Sequence, residues 1–264
     1  MSKIPLAIST TVFGEEKQES DLLRFLDTIQ QAGFAAIELS RKQQNIAARA
    51  ARIKATGLKV WSIHGGLGIG AVSSDEAVRK AAVADEVARL EDTATFAPCP
   101  YVVHYLDRYN DPVYGENFRR SIEEIYSCSS RLGFDLAVET APYKPQQNER
   151  YPDSKEIADF VRSFGAADLN MTIDINHSNI HEDLETVCQN CRGLISNVHI
   201  SDNHGDWEDH LPPGEGVIDL RQTFNALRDN GYTGPCNIEM HLPDLPDSKT
   251  LQAIRLQTEA ILAE

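Results

Sequence analysis

The residues best suited to chemistry sit in one run, VHISDNHGDWEDHLPPGEGVID, from Val198 to Asp219. Ile195, Val198 and Ile200 lead as a strand into and past His199, and a polar loop rich in Gly and Pro then returns Glu208, Asp209 and His210 toward the same spot. Imidazole and carboxylate groups gathered at a strand end form the donor set of a divalent-metal centre. The PPGEG turn bends the chain before Val217, Ile218 and Asp219 open the next helix.

Residues of the same kind close other short apolar runs. His64, His104, Glu139, Asp174, His199 and Glu239 each end one, in succession, and His177 follows Asp174 by three positions. A lone histidine such as His64 in WSIHGG or His104 in VVHYLD is ordinarily a satisfied structural residue. Buried strand-end carboxylates are different, because an unpaired charge there is costly unless the group neutralises. Around a single axis Glu139, Asp174 and Glu239 would repel one another, and a divalent cation is the simplest compensation. His181, His204 and His241 are not needed for this and are read as surface residues.

The elements that must position these groups alternate strictly. Strands are expected at Ile4–Ser9, Ala35–Leu39, Leu58–His64, Tyr101–Tyr105, Asp135–Glu139, Asn170–Asp174, Leu194–Ile200 and Cys236–Met240. Helices are expected at Ser20–Ala32, Asn45–Thr56, Ser74–Phe96, Asn117–Leu132, Ser154–Phe164, Glu182–Cys188, Leu220–Asp229 and Ser248–Leu262. Apolar runs too short for helices, each followed by a segment of helical period, imply parallel strands with crossover helices. Gly33, Gly57, Gly133 and Gly231 stand where helix-ending glycines belong. The pattern predicts an α/β fold, a (β/α)8 TIM barrel in a single domain over 1–264, rather than a doubly wound sheet, since no Gly-rich phosphate loop follows the first strand. In such a barrel the active site lies at the C-terminal strand ends, where the ligand-type residues fall.

With 264 residues, 41% of them hydrophobic, the chain can bury a full core. No leader-like N-terminus or long apolar window is present, so a cytoplasmic location without membrane association is expected. Five scattered cysteines do not form a secreted disulfide framework, and Cys188-x-x-Cys191 without a second pair reads as two ordinary thiols. The net charge of −15 repels a polyanion at long range, which argues against nucleic acid as the partner. The loops after the strands also hold few cations, namely Arg41, Lys42, Arg108, Lys144 and Arg150.

Together VETAP (Val138–Pro142), DINH (Asp174–His177), VHISDN (Val198–Asn203), HLPPGEGVID (His210–Asp219) and NIEMH (Asn237–His241) resemble the xylose-isomerase-like barrel superfamily over nearly the whole chain. That superfamily holds sugar and sugar-phosphate isomerases and epimerases, inosose-processing enzymes and DNA-repair nucleases of the endonuclease IV type. In its epimerase-like members one divalent ion, commonly Mn, Co or Mg, is held by four residues whose counterparts are Glu139, Asp174, His199 and Glu239. The two glutamates flank the substrate carbon and shuttle its proton. In its nuclease-like members a three-zinc cluster adds residues whose counterparts are His64, His104, His177 and His210. Glu208 stands where those enzymes have Asp, and His210 stands where ketose epimerases carry a substrate-binding arginine. The barrels of this superfamily also often pair as homo-oligomers.

The resemblance therefore implies a metal-dependent isomerase or epimerase acting on a sugar, sugar acid or cyclitol. The ion would stabilise an enediolate while Glu139 and Glu239 exchange the proton α to the carbonyl. His177 and His210 would orient substrate hydroxyls, and Trp207 would close over the site. One ion is the leading expectation, Mn, Co, Mg or Zn, with up to three if His64, His104, His177, Glu208 and His210 also bind metal. A three-zinc phosphodiesterase is the rival, because three ions would leave the centre positive and suited to phosphate. One ion among three carboxylates leaves it negative and suited to a neutral polyol. Lyase or dehydratase chemistry on the same site, and a non-catalytic sugar-binding barrel, complete the alternatives.

Overall fold

The computed structural model describes residues 5–18, 20–107, 112–142 and 150–263. Ile4, expected to open the first strand, and Arg108 and Lys144, counted among the loop cations, lie outside the described residues. Eight parallel strands close a barrel in sequence order: β1 Leu6–Ser9, β2 Ala36–Leu39, β3 Lys59–His64, β4 Pro100–His104, β5 Asp135–Glu139, β6 Leu169–Asp174, β7 Ile195–Ile200 and β8 Cys236–Ile238. The ring is completed by β1 pairing with β8 in parallel. This is the expected (β/α)8 architecture.

The crossover helices are α1 Asp21–Gln31, α2 Ile46–Ala55, α3 Glu76–Thr93, α4 Pro112–Leu132, α5 Ser154–Arg162, α6 Ile175–Ser178, α7 Leu184–Asn190, α8 Leu220–Asp229 and α9 Ser248–Ala263. In α1, Leu22, Phe25, Leu26 and Ile29 recur at helical spacing and are buried against the strands. A fully buried side chain of this size contributes about 1.5–3 kcal/mol. Gly33, at φ 84°, ends that helical stretch in the left-handed region that glycine enters without strain. No helix among the described residues is long and apolar enough to cross a membrane.

Boundaries differ from expectation where a local cap decides them. α4 starts at Pro112 rather than Asn117, since proline fits a first turn where its missing N–H goes unused. α7 begins after Asp183, whose carboxylate accepts from Thr186 N. The long helix expected to reach Phe96 is α-helical to Thr93 and tightens into a 3₁₀ turn at Ala94–Phe96. α6 was not anticipated. Its four residues exist because Asp174 caps them, accepting from Asn176 N at 2.8 Å and His177 N at 3.0 Å.

Candidate active site

His199, delivered by β7, is fully buried at the centre of the C-terminal rim. Its Nδ1 lies 2.6 Å from Glu139 Oε1, 2.8 Å from Glu239 Oε2 and 4.0 Å from Asp174 Oδ2. Each of these four residues offers one ligand atom, all within 4.8 Å of one another. They come from four adjacent strands. Asp174 pairs with His199 in register, and Glu239, just beyond β8, keeps the ladder through its N–H to Ile200 O at 3.0 Å.

The donor set fits a divalent cation. Asp174 divides its work, with Oδ1 capping α6 while Oδ2 is buried without a hydrogen-bond partner. Glu139 Oε2 is likewise buried and unbonded. Two buried carboxylate oxygens without a protein hydrogen bond are unfavourable in a native interior unless a positive charge faces them. Burial pushes the Glu139 and Glu239 carboxyls up, but the His199 and His64 rings beside them, joined at Glu139 by His104, outweigh that and hold both well below the usual range. Burial pushes His199 down, and Glu38, Glu239 and Glu139 carry it well above its ordinary value. In this state the imidazolium supplies the positive charge that the acids require.

Three further groups of close ligand atoms adjoin this centre, one of them formed by Glu38, His64, His199 and Glu239. His104 Nε2 is 3.1 Å from Glu139 Oε2 and 3.3 Å from His64 Nε2, and His64 Nε2 is 3.6 Å from the same Glu139 oxygen. Donors around a tetrahedral zinc with bonds of about 2.0–2.1 Å lie about 3.3–3.4 Å apart, so this triangle has the dimensions of a metal face. On the other side His177 Nε2 lies 3.6 Å from Asp174 Oδ2 and 3.4 Å from Glu208 Oε2. Asp174, His177 and His210 form another group of close ligand atoms. His177 Nδ1 donates to Thr140 O at 3.0 Å and His210 Nδ1 to Glu239 O at 3.1 Å. Each bond leaves that ring's Nε2 free to accept a metal or a substrate hydroxyl proton.

The loop carrying Glu208 and His210 is anchored by Asp202. Its carboxylate accepts from Gly214 N and Ile218 N, both at 3.0 Å, and its backbone forms an antiparallel bridge with Leu211. Gly216 allows the returning loop to press close, since a Cβ there would stand 2.2 Å from Asn203 O. Trp207 is half-buried and, with Glu208, His210, Arg41 and Lys42, lines a cleft of about 640 Å3 above His64, His104, His177 and Glu239. Asp209 instead turns to His204, 2.9 Å away. A larger groove of about 960 Å3 lies beside the cleft, lined partly by Arg41 and Lys42, but none of the clustered ligand atoms line it.

Glu38 was missed by inspecting only the last residue of each strand. It sits one position before the end of β2, fully buried, with Oε2 2.9 Å from His199 Nε2. The signal was an acid inside the apolar run Ala36–Leu39. His241, read from sequence as a surface residue, is exposed yet lines the cleft, its ring centroid 4.8 Å from that of His210. His181 and His204 are exposed. Cys188 and Cys191 are buried free thiols, each pushed up to about 12 by burial, as expected of inert cysteines.

Comparison with known proteins agrees with the barrel fold. L-ribulose-5-phosphate 3-epimerase UlaE of Escherichia coli is 31% identical over 141 residues, 53% of this chain and 47% of that protein. The chain thus spans about half the length of the curated relatives it matches. Among solved structures, an L-ribulose 3-epimerase superposes with a TM-score of 0.84 at 20% identity, covering 98% of this chain and 95% of that one. The IOLI protein with a bound zinc atom superposes with a TM-score of 0.78 at 17% identity, covering 98% of each chain. At those identities the structural likeness establishes the fold. The family model described as xylose isomerase-like TIM barrel matches residues 26–260, and on that match the chain belongs to the xylose isomerase-like TIM-barrel family.

Proposed function

We propose that this chain is a divalent-metal-dependent isomerase or epimerase that moves the proton α to a carbonyl in a sugar, sugar acid or cyclitol. The observation that carries this reading is the convergence of Glu139 and Glu239 on one nitrogen from separate strands, beside the unbonded Asp174 Oδ2. The epimerases among the relatives support it. Glu139, Asp174, His199 and Glu239 would hold the ion. When bound it would act as a Lewis acid that stabilises negative charge developing on oxygen.

The chain's own groups do the remaining work. One of Glu139 and Glu239 accepts the α-proton at a carboxylate oxygen and the other returns a proton from the far side, which requires both within hydrogen-bond reach of the carbon-bound hydrogen. His177 and His210, their Nδ1 protons already committed, accept from substrate hydroxyls through Nε2. Trp207 lines the cleft, where closing over bound substrate would limit water and strengthen the electrostatics inside.

A second reading keeps the fold and changes the chemistry. The triangle of His64, His104 and Glu139 favours a second ion, and His177, Glu208 and His210 offer a third position. Such a centre suits phosphodiester hydrolysis or small-molecule lyase and dehydratase chemistry. Metal analysis of the purified protein, followed by deuterium uptake from heavy water over a panel of ketoses, keto-inositols and sugar acids, separates the two. Label at a carbon next to a carbonyl, with one ion per chain sufficient, supports epimerisation. A loaded protein that exchanges no α-proton in any of them overturns it.

A further inference from the structure

Glu38 is a carboxylate sealed inside β2, and the cationic candidates beside it are imidazoles. Its Oε2 accepts from Ser62 Oγ at 2.7 Å and stands 2.9 Å from His199 Nε2, while its Oε1 lies 3.7 Å from His64 Nδ1. We propose that Glu38 is a positioning residue that holds one His199 proton on Nε2, so that when a cation displaces the other from Nδ1, the lone pair left there faces the cluster of Glu139, Asp174 and Glu239. This rests on the metal reading above and assigns the group that prepares its central ligand.

Two neighbours compete for His199 Nε2, and they demand opposite tautomers. Glu38 can only accept there. The Asn197 side-chain amide can donate, because Trp61 Nε1 donates to its Oδ1 at 3.0 Å and turns the NH2 toward His199, with Nδ2 at 3.1 Å from Nε2. Were Asn197 to prevail, Nε2 would accept, Nδ1 would carry the proton, and the nitrogen facing the acids could not bind a cation. A hydrogen bond to an ionised acceptor is roughly twice as strong as one between neutral groups. Full burial of both Glu38 and His199 widens that margin. Ser62 completes the device by donating to the same oxygen and fixing the carboxylate's rotation. The Glu38–His199 pair would then act as the carboxylate–histidine pairs that orient many metal-binding histidines.

The test compares the full-length wild type with Glu38→Gln, which keeps the shape and removes the charge. Affinity for Mn2+ and Co2+ is measured by chelator competition, ions per chain by elemental analysis, and geometry by the visible spectrum of the cobalt form. Glu38→Gln is expected to bind roughly 10–100-fold more weakly with the same number of ions. Glu38→Asp, which restores the charge on a shorter arm, should recover part of that loss. In zinc-loaded wild type with 15N-labelled histidine, long-range 1H–15N spectra should show the His199 proton on Nε2. Affinity of Glu38→Gln within about twofold of wild type would overturn the proposal, as would a proton on Nδ1. Loss of one ion per chain would make Glu38 a ligand and overturn the positioning role. If Glu38→Gln does not fold, the wild-type spectrum decides alone. A wild type that takes up no ion defeats the metal reading, whereas intact uptake in the variant defeats only this inference.

Discussion

Glu139 and Glu239 reach the same nitrogen, His199 Nδ1, at 2.6 and 2.8 Å from strands three apart in the barrel. If both carry protons in the reaction, each should be needed for a different half of it. Glu139→Gln and Glu239→Gln are each expected to lower epimerisation on the order of 10²–10⁴-fold. In folded, metal-loaded protein, one of the two should still wash deuterium into substrate while the other does not. Equal, full exchange in both variants would remove the proton-shuttle role.

Asp174 caps a helix with Oδ1 and leaves Oδ2 without a hydrogen bond, and Asp174→Asn tests the proposed metal-holding role of the second oxygen. The amide keeps an acceptor for Asn176 N and His177 N, so the variant should melt close to the metal-free wild type. Its melting temperature should no longer rise on adding Mn2+, because binding to the native state alone is what raises it. Differential scanning in the presence and absence of metal reads both effects.

His210 adopts φ 51°, in the left-handed region where Asn is among the better tolerated side chains. His210→Asn therefore removes the imidazole with little backbone penalty, whereas His210→Val should also destabilise the fold. For the epimerisation, His210→Asn is expected to raise KM about tenfold, the loss of one hydrogen bond in a buried site. Steady-state kinetics alongside thermal melts distinguish the two variants.

The metal-free protein should be most stable in mildly acid solution. Burial opposes but Glu239 and Glu139 hold His64 high, and Glu38, Glu239 and Glu139 do the same for His199. Their contribution is complete below the ordinary histidine value of about 6.5 and fades as pH rises through the raised one. Glu139 and Glu239 are held low despite burial, so their contribution is present above about 4.3 and is lost as pH falls through the lowered values. On the proposed metal reading a bound ion would replace the proton on His199 Nδ1, so loading should abolish much of the alkaline decline and metal affinity should increase with pH. Denaturant melts across pH, with and without metal, measure this.

The barrel was legible because its strands are buried on both faces and read as apolar, β-branched runs such as Tyr101–Val103, each followed by an amphipathic stretch. The strand-end rule then led directly to Glu139, Asp174, His199 and Glu239, which lie within one residue of the ends of four neighbouring strands and share one rim. It failed at Glu38 because a single acid inside the apolar run Ala36–Leu39 carries no periodic signal and no second polar group follows it in that run. Asn197 was also hidden, since it lies two residues inside β7 and acts through Trp61 and His199. Four-residue α6 could not be read from periodicity either. It depends on the cap that Asp174 forms only when β6 ends where it does.

Asp202 fastens Gly214 and Ile218 on the far side of the loop and pairs with Leu211 just beyond His210, leaving His204 to Asp209 outside the clamp. Exchanging those six positions as a cassette is expected to leave the four central donors where they are. Protein engineers seeking new stereochemical preferences thus have a defined insertion point, with Trp207 and Glu208 as the first two codons to randomise.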